Sequence, residues 1–393
     1  MINPSTSGWI DKFFTVENNS ESRVFTSSLS FYKKIRETGF IYGHVVLKFE
    51  NSEELKPDEI SKIALLDNLY STFQYVTKET DSKTFVAKTL EFYKEMNPKG
   101  FDFLSTLISS SKNIKLERLL DDRVQTNKDI ISKNFSNIVT NALLFVDILA
   151  YKLFLAEGEI PEKYVKRIEE MIMSIVSLSL QVKINKSSND DLLIKLFEAS
   201  VRYTKFSKIN IKQLENLPLD NFKDDLEKFY FLDLAVLTMY NDAIIENDEV
   251  YFLNKLGKHL KISEKFVSES ITATNQFIKN HKKNIQYFNY SNPVKHFYDQ
   301  TTSGVQVLIK RNKKRLTKEI SQSKELMHLL AKSTNKDLSL EEKKKVKKQL
   351  LDICKTIPSL TIFLIPGGGL LLPILIKFIP QLLPSSFNEN LED

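Results

Sequence analysis

From Pro57 onward the apolar positions fall three or four residues apart. Ile60, Ile63, Ala64, Leu66, Leu69, Tyr70 and Phe73 mark one face of an amphipathic helix. The same spacing predicts helices over 81–95, 101–110, 127–156, 161–182 and 190–206, then a further helical unit over 223–279. Two stretches in this run are apolar enough to suggest a membrane, "NALLFVDILAYKLFLAEG" at 141–158 and "MIMSIVSLSLQV" at 171–182. The first carries Asp147 and Lys152 and the second has only twelve residues, so both are expected as buried core helices. Residues 1–56 keep no sustained period. Trp9, Phe13 and Phe14 are followed by an alternating patch, "FIYGHVVLKF" at 40–49, that predicts either one strand or a short buried segment. Connections are expected at 183–191 and 215–225, the latter with Pro218 and an aspartate suited to start a helix.

Ten glycines in 393 residues, with long Lys/Glu/Leu/Ile-rich segments, argue for a mainly α chain. The organisation expected is a mixed segment 1–56, a helical domain 57–206, a helical unit 207–280, an aromatic-rich linker 281–304, basic helices with an apolar segment over 305–387, and a tail 388–393. Cys354 stands alone, so no intrachain disulfide and no cysteine-rich zinc site can form, which suits a reducing compartment. The first residues, "MINPSTSGWIDKFF", lack the basic start and apolar run of a signal peptide, and the bulk of the chain is expected in the cytoplasm.

Charge is unevenly placed. The net charge is +6, yet residues 310–348 alone hold 14 Lys or Arg against five acids, so the rest of the chain sums to −3. Two runs carry the surplus: Lys310, Arg311, Lys313, Lys314 and Arg315, then Lys343, Lys344, Lys345, Lys347 and Lys348. They are expected to meet lipid headgroups or RNA. Ser339, with Glu342 three residues on, fits a capping box that opens the second run as a helix.

Little in the chain suits catalysis. The five histidines, His44, His259, His281, His296 and His328, are scattered without an HExxH pair, and no phosphate loop or nucleophile elbow is present. No cofactor is expected, and the chain reads as a non-enzyme. In "MYNDAIIENDEVYFLNKLGKHLKIS", 239–263, Asp242 and Glu249 lie seven apart between two helices and are weak candidates for a divalent cation. The simpler reading is that acids in a first turn offset the helix dipole. The stretch resembles the repeat of TerB-like domains, although Ala243 stands where a glycine is usual; a fainter echo at 155–172 has Tyr164 in place of the second acid.

The last feature is "IPSLTIFLIPGGGLLLPILIKFIPQLLPSSF", 357–387, with five of the eleven prolines. Lys355 and Lys377 bracket 21 uncharged residues, about the length of a helical span. Pro366, Pro373 and Pro380 repeat every seven residues, and prolines are tolerated in lipid where neighbours satisfy the freed carbonyls. The span would be kinked, and Gly367, Gly368 and Gly369 would allow a hinge or a re-entrant loop.

Together with the basic helix ending in "LLDICK", the motif residues Pro358, Pro366, Gly367–Gly369, Pro373, Lys377, Pro380, Pro384 and Phe387 resemble the membrane segment of the LETM family, the leucine-zipper, EF-hand transmembrane proteins. The likeness covers 303–387. It implies a bacterial-type variant anchored in the inner membrane with its N-terminal region cytoplasmic. It further implies support of cation (potassium)/proton homeostasis or ribosome-linked assembly, with a homo-oligomer formed through the C-terminal segment. In the family the ribosome-linked part follows the Leu-Pro-Ser motif, so that property carries over only in part, and an EF-hand not at all. The alternative is a peripheral helical protein-binding module whose apolar C-terminus docks into a partner.

Overall fold

The computed structural model describes residues 2–17, 25–46, 55–96, 110–124, 142–183, 197, 200–201, 213–240, 247–281, 309–310, 312–335, 338–357, 360, 376 and 379. Among them every regular element is helical. The chain divides into two compact units, one made of 1–50, 57–127 and 138–291 and the other of 51–56, 128–137 and 292–393. The described residues of 57–206 and 207–280 thus share the first unit.

In the first unit the helices are α1 (Trp9–Glu17), α2 (Ser28–Glu37), α3 (Pro57–Thr77), α4 (Ser82–Met96), α5 (Lys112–Arg123), α6 (Phe145–Glu157), α7 (Tyr164–Val182), α8 (Asp225–Met239), α9 (Asn247–His259) and α10 (Glu264–His281). α8 is the hub. Twelve of its 15 residues are buried, as a helix apolar on all sides demands, and it packs on α2, α7, α9 and α10. α3 plays the matching part beside α4, α5 and α6.

Two aspartates buried in these core helices are each paired with an arginine. Asp147 on α6 is fully buried and is held by Arg123, whose Nε and Nη2 donate at 2.6 and 2.5 Å, and by the Tyr93 hydroxyl at 2.9 Å. On α8, Asp233 accepts from the Tyr32 hydroxyl at 2.8 Å and from Ser270, with Arg36 Nη1 at 3.6 Å. Burial raises the Asp233 pKa against the opposing pull of Arg36. Both stretches expected to be buried helices, 141–158 and 171–182, lie in this core where described.

Three helices of this unit were not anticipated. α1 is only nine residues long, and its first amides are satisfied from far along the chain: Gly8 and Ile10 N–H donate to the Glu117 carboxylate at 3.0 Å. α2 opens on a Ser27/Ser30 capping box, and Ser111 caps α5. In the alternating patch, Phe40–Tyr42 forms a buried 3-10 turn, which resolves the choice between strand and buried segment at its described end. Gly39 precedes it with φ +77°, where a Cβ would lie 2.1 Å from the His44 carbonyl oxygen; only glycine fits. Asp224 caps α8 within a capping box with Glu227, at the aspartate expected to start that helix. The helices expected over 101–110 and 190–206, and the linker 281–304, fall almost wholly outside the described residues.

Among the described residues no helix is long and apolar enough to cross a membrane. Most of 356–376, the stretch expected to span, lies outside them.

Candidate functional site: a basic helical hairpin

In the second unit a helical stretch at 312–321 precedes α11 (Lys324–Asn335) and α12 (Leu340–Thr356), which pack together as a hairpin. Ser339 Oγ accepts from Glu342 N–H at 3.2 Å, and Glu342 Oε2 accepts from Ser339 N–H at 2.9 Å. The capping box therefore starts α12 at the residue expected. Val346, Leu350, Ile353 and Cys354 form its inner face, spaced by three and four as one helical stripe requires. They meet Leu316 and Ile320 of the preceding stretch and Leu326, Leu329 and Leu330 of α11 in one core. Burial raises the Cys354 thiol to about 11, so it packs as a neutral group.

Polar contacts set the register of the hairpin. Lys345 pairs with Glu325 at 3.0 Å, Gln349 Nε2 donates to the same carboxylate at 2.9 Å, and Ser323 Oγ donates to Gln349 Oε1 at 2.7 Å. Lys332 pairs with Glu342 at 2.6 Å. The hydrogen bond from Lys345 holds the Glu325 carboxyl below its ordinary range. Glu325, Ser323 and Gln349 carry no sequence signal, because their partners lie 20 to 26 residues away.

The remaining lysines of α12 face water. Lys343, Lys344, Lys347 and Lys348 are exposed, and no ion pair engages them among the described residues. Lys344 and Lys348 lie on the side opposite Val346 and Leu350, as their positions along an α-helix dictate, and Lys347 lies on the flank between that side and the buried stripe. In the first basic run Lys310, Lys313, Lys314 and Arg315 are also exposed, around the buried Leu316, while Arg311 is not described.

The other expected site residues come out differently. Pro358, Pro366, Gly367, Gly368, Gly369, Pro373, Lys377, Pro380, Pro384, Phe387 and Asp242 lie outside the described residues. Glu249 is buried in the first turn of α9 beside the exposed Asp248, where acids offset the helix dipole. Among the described residues no cluster of three or more His, Cys, Asp or Glu is placed to hold a metal ion. A cavity of about 380 Å³ in the first unit has Phe73 and Phe154 in its wall together with Glu79, Glu91 and Glu95, of which Glu91 accepts from Lys88 and Glu95 from Ile160 N–H.

Parts of the apolar passage belong to the same core as the hairpin. Ile357, Leu360 and Ile379 are buried in it, and Ile376 packs against it. Residues 338–393 match the family model described as "LETM1-like, RBD". The C-terminal segment is LETM1-like. The match covers 56 of the 393 residues, all in the second unit. It takes in α12 and the apolar passage together, and the RBD of its description stands for ribosome-binding domain. No curated protein and no solved structure matches the chain.

Proposed function

We propose that the chain is a non-enzymatic, LETM-like docking protein whose second unit engages the ribosome at the bacterial inner membrane, with the first unit in the cytoplasm. One observation carries this reading. The LETM1-like match lies on α12, a capped helix that buries its apolar stripe and presents unengaged lysines to water. In this proposal the passage 356–387 holds the protein at the membrane and brings copies together through Pro366, Pro373 and Pro380. Support of potassium and proton homeostasis then follows from what is assembled there. Lys310–Arg315 and Lys343–Lys348 lie N-terminal to the passage and stay on the cytoplasmic side.

A second reading is favoured by the burial of Ile357, Leu360 and Ile379. Residues covered by protein are not free to face lipid, so the passage would serve as core or as a docking element of a peripheral module. Fractionation separates the two: retention in the membrane pellet after alkaline carbonate supports anchoring, whereas release by salt alone supports peripheral attachment. Co-sedimentation of the full chain with ribosomes tests what both share, and its absence would remove the ribosome reading.

A further inference from the structure

We propose that the exposed side of α12 is a phosphate-backbone site for RNA, made by Lys344 and Lys348 on its outward face with Lys347 on the flank. The inference rests on the ribosome reading above and names the chemistry of that contact. Its starting point is a contrast within the hairpin. Lys332, Lys345 and Lys355 each pair with a carboxylate at 2.6 to 3.0 Å. Lys344, Lys347 and Lys348 have no such pair among the described residues, although they are neighbours at i, i+3 and i+4. Like charges at this spacing repel one another. Asp352, four residues on from Lys348, offsets part of that repulsion, and the surplus positive charge that remains is what a polyanion laid along the helix would meet.

The rest of the helix narrows the partner. An amphipathic helix that settles into a bilayer needs a free apolar face, and the apolar face of α12 is spent on the core through Val346, Leu350, Ile353 and Cys354. Protein interfaces draw on buried aromatic anchors and are poor in lysine; α12, "LEEKKKVKKQLLDICKT", has no aromatic residue. A phosphate backbone asks only for cations presented from a rigid element. Without aromatic groups to stack on bases, the face reads charge and shape and not sequence.

The test uses the full-length chain, a labelled RNA hairpin duplex, and vesicles with and without phosphatidylglycerol. Binding to the duplex should weaken with salt at a log–log slope of about −3 for three phosphates, a loss of roughly 50-fold between about 50 and 200 mM. Each single Lys→Gln change at 344, 347 or 348 should reduce that slope by about 1. K344E/K348E should abolish duplex binding, whereas K12E/K94E, the same charge change on exposed residues of the first unit, should retain more of it. Loss of ribosome co-sedimentation in K344E/K348E supports the proposal. Ribosome binding by both the wild type and K344E/K348E would overturn this face while leaving the ribosome reading intact. Binding to phosphatidylglycerol vesicles without binding to the duplex would overturn it in favour of lipid. If the wild type binds no ribosomes, the ribosome reading fails, and the duplex measurement decides the face independently.

Discussion

Arg123 and Asp147 show what a single residue can be worth here. The carboxylate is fully buried, and the guanidinium meets both its oxygens. R123A should cost about 3–5 kcal/mol in urea unfolding, because the charge left behind has neither water nor a cation; R123M/D147L, which removes both charges, should cost far less. Glu227 makes a different prediction. Burial pushes its carboxyl from 4.5 up to about 7, with the Asp224 charge adding to the shift and the hydrogen bond from Tyr164 at 2.7 Å opposing it. Between those two values the folded chain holds a proton that the unfolded chain has released. Stability is therefore greatest below about pH 4.5 and falls as pH rises through about 7, as far as this group is concerned. E227Q should flatten that decline in denaturation curves followed from pH 5 to 8, while keeping an oxygen for the capping box.

At the scale of elements, helix ends decide more than propensity. α9 stops in a Schellman turn: Ile262 N–H donates to the Gly257 carbonyl at 2.9 Å and Lys261 N–H to the Lys258 carbonyl at 3.1 Å, with Lys261 at φ +59°. A lysine pays for its Cβ in this left-handed region and a glycine does not, so K261G should raise stability by about 0.5–1 kcal/mol in chemical denaturation. The same local logic explains which elements could be read in advance. α4 and α7 are long and keep their period, α3 is long and apolar through its middle, and the caps of α8 and α12 stand in the sequence as Asp224 and Ser339. α1 and α2 could not be read, since they depend on distant partners: the Glu117 carboxylate for α1, and for α2 the Tyr75 ring stacked 4.8 Å from Phe31. α5 is mostly polar, "KNIKLERLLDDR", and its stripe of Leu116, Leu119 and Leu120 is too brief to stand out. In the candidate site the lysines were legible as a run. Which of them Glu325 would neutralise was not, because that choice is made across the hairpin.

For the whole molecule the instructive case is the apolar passage. Its 21 uncharged residues match a bilayer in length, but a protein interior removes apolar side chains from water just as lipid does, so length cannot distinguish the two. Ile357, Leu360 and Ile379 are buried in the core of the basic hairpin, and this makes the passage a structural part of the second unit as well as its proposed anchor. Deleting residues 357–393 removes those three side chains, each worth roughly 1.5–3 kcal/mol when fully buried, and opens the core they share with Leu326, Val346 and Leu350. The hairpin should then lose its cooperative melting transition, while the first unit, whose core around α8 contains none of these residues, keeps its own. Calorimetry of the full and shortened chains checks this. An unchanged hairpin transition would show that α11 and α12 stand without the passage and would return 357–387 to a role in the membrane alone.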